Sequence, residues 1–317
     1  MFIAQAYQSR FEFWRYMMGS VVVFLASIVG QLPLVILVGR VARDKKIPLT
    51  DLEDPAIFMK VLDANLTFFL TLISFAIGMV ALMLWVKHSH MFAMKKIVTT
   101  RSKVDWGRVL FGFLIVTVVN VAMIYWDYSS NPENYELQFD LSRFLILALI
   151  AITLIPIQTS LEEFLFRGYL MQGFGLLAGN RWFPLVLTSL IFGGLHYSNP
   201  EVDKIGDIAL VYYIGTGFFL GIITLLDEGM ELALGFHAGN NLVAALLVTT
   251  DWTVFQTDSI LLDKSEPAAG FAILMPVFVI YPIYLLIMHW RYRWTNWSDK
   301  LFGKLPAAPE RDPLDYL

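Results

Sequence analysis

The sequence predicts an all-α membrane protein with about eight transmembrane helices. Three observations carry that prediction. Across 317 residues the apolar set makes up 57% and charged residues only 16%, whereas a soluble domain averages roughly 45–50% apolar and about 25% charged. Mean hydropathy is +0.62. The apolar residues also gather into stretches of the length a bilayer crossing requires, about 20 residues of helix. So few charges do not cover the surface of a soluble fold. The net charge of -4 gives no ground for nucleic-acid binding. The absence of cysteine excludes disulfides, zinc–thiolate sites and thiol nucleophiles.

Spans are expected at 17–39, 65–86, 109–126, 146–177, 183–197, 207–226, 229–250 and 270–290. Ahead of the first, Arg10, Glu12 and Arg15 stand among Phe11, Phe13, Trp14 and Tyr16, the pattern of an interfacial lead-in. The first span lacks the small-residue exit of a secretory signal and is expected to stay in the protein. The fourth is too long for one straight crossing and contains Pro156, so a tilted or broken helix is expected. The fifth is short, and Pro184 suits its first turn. Short amphipathic helices are expected within 40–64 and 87–108. Gly217 and Gly221, four apart in the sixth span, point to close helix packing. The chain divides into 1–140, without a recognised motif; 141–250, with the embedded ionisable residues; and 251–317, a last helix and a basic tail.

With eight spans both termini share one side. That side holds Arg10, Arg15, Lys87, Lys95, Lys96, Arg101, Lys103, Arg108, Arg181, Arg291, Arg293, Lys300, Lys304 and Arg311. The other holds eight basic residues, five of them in the acidic 40–64 loop. The positive-inside rule then puts both termini in the cytoplasm, in the cell's inner or plasma membrane.

Ionisable residues inside the spans cluster in the second half: Glu162, Glu163 and Arg167 in the fourth span, His196 in the fifth, His237 in the seventh. Each such carboxylate or guanidinium costs roughly 2.5–3.5 kcal/mol at mid-membrane on insertion scales, which makes it a functional candidate. Glu163 and Arg167 are four apart with the acid first, the better order for an intrahelical pair. Glu162 sits about 100° around the helix. The two carboxylates are therefore expected to face different points, Glu163 toward Arg167 and Glu162 toward a cavity with no helical neighbour to compensate it. His196 shares a helix face with Phe192, and His237 with Asn241; Asn240, at i+3 from His237, is the alternative. A turn near Asn180 would hold Glu162 and His196 at similar depth, so the site is expected between helices four, five and seven.

Glu162-Glu163-x-x-x-Arg167, Phe192-x-x-x-His196 and His237-x-x-x-Asn241, in this order on separate apolar spans, resemble the motifs of the CAAX protease and bacteriocin-processing family, which includes the Rce1-type prenyl proteases. The resemblance covers about 145–250. It implies an intramembrane endopeptidase with a glutamate-activated water: Glu162 as general base, His196 helping to hold the water, His237 and Asn241 stabilising the oxyanion, Glu163 and Arg167 shaping the site. Spacing within the family selects Asn241 over Asn240. A peptide or membrane-protein substrate inside a lipid bilayer follows as the implied partner, with no cofactor.

Two other readings use the same residues. Glu162, His196 and His237 are sufficient in number for a zinc site, although no HExxH is present and His88 and His90 lie in a loop away from the other polar residues. A non-catalytic immunity or scaffold protein would keep the fold without the reaction. A transporter would line several more spans with polar residues, and Asn120 is almost alone in the first half.

Overall fold

The computed structural model describes residues 1–267 and 270–310; Arg311, counted above with the basic tail, lies outside the described residues. Among the described residues six helices are long and apolar enough to cross a membrane: α1 (Phe13–Asp44), α2 (Ala64–His88), α3 (Trp106–Ser130), α4 (Leu141–Ala178), α6 (Ile208–Asp227) and α8 (Ile273–Tyr292). The fifth and seventh expected spans form shorter helices, α5 (Trp182–Leu195, 14 residues) and α7 (Glu231–Leu247, 17 residues). At 1.5 Å per residue these reach roughly 21 and 26 Å, short of the ~30 Å hydrocarbon core.

Aspartates begin three of the long helices. Asp63 caps α2 at the amides of Asn65 and Leu66, Asp105 caps α3 at Arg108, and Asp140 caps α4 at Arg143. Each satisfies orphan backbone donors at a helix start. α4 ends at Gly179, whose φ of +67° supplies the left-handed C-cap. Pro156 does not break α4, which stays helical through it; the departure comes at Phe164–Leu170, a π-helical segment directly after Glu163. Short helices occupy the loops as expected, at Leu49–Glu53, Pro55–Lys60 and Lys95–Val98.

The residues ahead of α1 pack on the bundle. Ile3–Gln8 forms a 3-10 turn that buries Phe2, Ile3 and Ala6, and Ile3 fits against the end of α4 where Gly175 leaves room. The fold is all-α as expected, with three short strands beside the helices. β1 (Tyr135–Leu137), β2 (Val248–Thr250) and β3 (Leu261–Asp263) form a small sheet ordered β1-β3-β2, antiparallel then parallel. The β-branched run Val248-Thr249-Thr250 ends α7 three residues before the expected span boundary.

α7 is the centre of the bundle, packed against α3 and α4, while α6 packs on α5 and α1 on α2. The α3–α7 approach needs glycine: a Cβ on Gly235 would sit 1.8 Å from the Val109 carbonyl oxygen, and one on Gly112 2.4 Å from that of Leu232. The expected Gly217–Gly221 packing is present, with Gly217 against the Ser189 backbone and Gly221 against Leu185. At the ends of the spans, Arg101 and Arg108 both pair with the buried Asp227, Arg101 also with the buried Glu231, and the Trp294 indole donates to Asp227. This network ties the 99–108 loop and the chain after α8 to the start of α7.

Gly235→Leu should therefore force α3 and α7 apart and sharply lower the yield of folded protein. Gly39→Ala, whose added Cβ meets nothing within 4 Å, should leave yield and thermal midpoint unchanged. A pH test follows from His90, in the loop after α2. Burial lowers its pKa from the ordinary 6.5 to about 4, while Nδ1 bonds the Arg10 carbonyl and Nε2 lies 2.9 Å from the Tyr169 hydroxyl. With the folded value below the unfolded one, this contribution is present above pH ~6.5 and lost as pH falls through ~4. The thermal midpoint should drop over that window, and the drop should be shallower in His90→Gln.

Candidate active site

The site forms where α4 leaves regular α geometry. Glu163 is the last residue of the α-helical part and Arg167 lies in the π-helical turn. Such turns widen a helix locally and recur at functional positions. Glu163 and Arg167 are both buried, with side chains 0% and 1% exposed, and the Glu163 Oε1 atom lies 3.1 Å from Arg167 Nη1. The expected intrahelical pair is thus present. Arg167 also donates to the Gly217 carbonyl at 3.4 Å, and its guanidinium stacks 4.2 Å over the Phe192 ring.

Glu163 Oε1 takes a second donor from another helix, His237 Nδ1 at 2.8 Å. On the other side of that imidazole, Nε2 lies 3.5 Å from Glu162 Oε2. The two carboxylates face different points as expected, yet bracket one ring, each toward a different nitrogen. The 100° offset permits this because the two ring nitrogens point in divergent directions. Glu162 is not left without a helical neighbour. Gln158, one turn earlier, donates to its Oε1 at 2.6 Å. Glu162 remains the more open carboxylate, at 15% exposure.

Asn241 shares a helix face with His237 and donates to Gln158 Oε1 at 3.2 Å. Asn240 bonds other amides. It donates to Asn241 Oδ1 at 3.2 Å and accepts from Asn120 of α3 at 3.0 Å. His196 follows α5 as its C-cap residue, with Nδ1 bonded to the Phe192 carbonyl at 2.8 Å. Its ring is stacked on Tyr213 at 4.1 Å. Among the described residues no hydrogen bond joins His196 to either glutamate or to His237. The link is Phe192, whose ring centroid lies 4.8 Å from that of His196 and 6.2 Å from that of His237. Phe192 thus holds Arg167 and both imidazoles together.

Tyr213 and Gln158 were not singled out from sequence. Tyr213 donates to the Glu201 carboxylate, which also accepts from Asn199 and the Val254 amide, so the 197–207 segment is fastened beside His196. Nothing in the spacing of Tyr213 marks it. Gln158 had a signal: an amide in an apolar span, four residues before Glu162. Ser189 bonds the Leu185 carbonyl and packs on Gly217.

For zinc, Glu162, His196 and His237 would have to converge. Among the described residues no group of three or more His, Asp or Glu side chains is arranged to hold a metal ion. The Nδ1 atoms of His196 and His237 are taken by the Phe192 carbonyl and by Glu163, and their Nε2 atoms are not gathered with Glu162 into such a group. This donor set does not fit a zinc site.

Residues 141–243 match the family model described as type II CAAX prenyl endopeptidase Rce1-like. This segment is an Rce1-like domain. It contains every site residue named above except Asn120 and Val254. The chain is also similar to the uncharacterized protein YyaK of Bacillus subtilis (strain 168), at 36% identity over 162 residues. That alignment covers 51% of this chain and 54% of YyaK, so the chain spans about half the length of the curated relative it matches. No solved structure matches.

Within the Rce1-like domain the buried pair sets a stability test. Glu163→Ala leaves Arg167 without its counter-charge, and removing one partner of a buried pair costs about 3–5 kcal/mol. Folded yield and thermal midpoint should fall steeply, while Glu162→Gln should stay near wild type. Normal folding of Glu163→Ala would contradict the structural role given to that carboxylate.

Proposed function

We propose that the protein is an intramembrane endopeptidase that hydrolyses a peptide bond with a water activated by Glu162. The observation that carries this reading is the convergence of Glu162, Gln158, His237 and Asn241 on one side of a buried Glu163–Arg167 pair. Amide hydrolysis needs a base beside the water and donors aimed at the developing oxyanion. Glu162 Oε2 takes the proton from the water as oxygen attacks the carbonyl carbon. The oxyanion is met by the Asn241 N–H that Gln158 does not use and by His237 Nε2. With Nδ1–H given to Glu163, Nε2 donates only when the ring carries its second proton. Collapse breaks the C–N bond, and the proton on Glu162 passes to the leaving amine. His196 helps to hold the water. The catalytic core is 141–250, the substrate is a peptide or membrane-protein segment reached within the bilayer, and both termini face the cytoplasm.

One distance favours a second reading. The 2.8 Å bond from His237 Nδ1 to Glu163 has the form of a carboxylate-oriented imidazole. In that reading His237 Nε2 is the base and Glu162 binds the water.

The experiment compares newly formed protein termini in membrane fractions from cells carrying wild type, Glu162→Gln or His237→Gln. Fragments made by wild type should vanish in Glu162→Gln, and turnover of the peptide so identified should fall at least 10²-fold. Turnover within about tenfold of wild type in Glu162→Gln, with loss confined to His237→Gln, would move the base to His237.

A further inference from the structure

Four side-chain amides form a chain that ends on Glu162. Asn120 Nδ2 donates to Asn240 Oδ1 at 3.0 Å, Asn240 Nδ2 to Asn241 Oδ1 at 3.2 Å, Asn241 Nδ2 to Gln158 Oε1 at 3.2 Å, and Gln158 Nε2 to Glu162 Oε1 at 2.6 Å. Every bond points the same way. The terminal group sets that direction, because a carboxylate accepts only, and a Gln158 amide turned the other way would put oxygen against oxygen. Gln158 must then present its NH2 to Glu162 and its oxygen to Asn241. Asn241 must present an N–H to Gln158 and its oxygen to Asn240, and so on to Asn120. The chain crosses three helices, α3, α7 and α4.

We infer that Gln158 is the positioning residue of the site, acting at once on Glu162 and on Asn241. This rests on the assignment of Glu162 as base. By capping Oε1, Gln158 leaves Oε2, the oxygen beside His237 Nε2, to take the proton from water. By accepting one Asn241 N–H, it leaves the other for the oxyanion. Base and oxyanion donor are thereby held in one register by one side chain. Each amide also polarises the next, so the bond that reaches the carboxylate is stronger than an isolated amide would make. Asn120, two helices away from Glu162, belongs to the same device and gives α3 a part in the site.

The test uses the full-length protein in lipid nanodiscs with two readouts. The first is the infrared band of the Glu162 carboxyl group, assigned by its absence from Glu162→Gln. The second is kcat and KM on a peptide that wild type cleaves. Gln158→Met, similar in length but without donor or acceptor, should shift the band and lower kcat about 10- to 100-fold, with KM within about threefold, since only a transition-state arrangement is lost. Asn120→Leu, at the far end, should move both readouts in the same direction by less. It also serves if Gln158→Met does not fold. An unshifted band, or kcat within twofold of wild type in Gln158→Met, overturns the inference. The base assignment fails separately, if Glu162→Gln retains turnover. If wild type cleaves no peptide, that assignment falls and the band alone decides whether Gln158 holds Glu162.

Discussion

A guanidinium buried in an apolar helix must have a counter-charge, and the rest of this structure is arranged around meeting that demand for Arg167. Glu163 meets it from one turn away on the same helix. The remaining faces of the guanidinium are taken by the Phe192 ring and the Gly217 carbonyl. One buried cation thus draws α4, α5 and α6 to a common point. The same Glu163 oxygen receives His237 from α7, so the pair also sets the tautomer of a ring that faces the more open Glu162. Charge burial here orders the site: both partners of the Glu163 carboxylate, Arg167 and His237, meet its Oε1, while Oε2 is buried without a hydrogen-bond partner among the described residues.

Close backbone packing makes that convergence possible. Lipid tails are as apolar as leucine, so membrane helices associate through small residues and interhelical hydrogen bonds. Gly235 brings α7 against α3, and Gly217 brings α6 against α5. The first approach lets Asn120 reach Asn240, and the second lets Arg167 reach a carbonyl of α6. The helices before residue 141 are therefore packed into the bundle that holds the Rce1-like domain.

Much of this was legible in the sequence where a rule connects nearby residues. The Glu163–Arg167 pair follows from i,i+4 spacing, the glycine packing of α6 from Gly217 and Gly221, and the membrane class from composition. The rest falls where long-range contacts decide. Rotation about one helix says that Glu162 and Glu163 diverge, but not that a ring arriving from α7, with two nitrogens, accepts both directions. Pro156 carried the expected break, yet the helix departs from α geometry at Phe164–Leu170, where Arg167 must be both buried and paired. Gln158 sat at legible spacing from Glu162, but a neutral amide carries little weight beside charged residues in a hydropathy reading.

The central claim is that the Glu163 carboxylate holds His237 through Nδ1 and so aims Nε2 toward Glu162. Nitrogen-15 NMR of histidine-labelled full-length protein in nanodiscs tests it most directly, with the His237 signals assigned by their loss in His237→Gln. The account predicts a proton on Nδ1 throughout the pH range in which the protein is folded, its resonance altered by Glu163→Gln. A neutral His237 ring protonated on Nε2, or signals indifferent to Glu163→Gln, would contradict it.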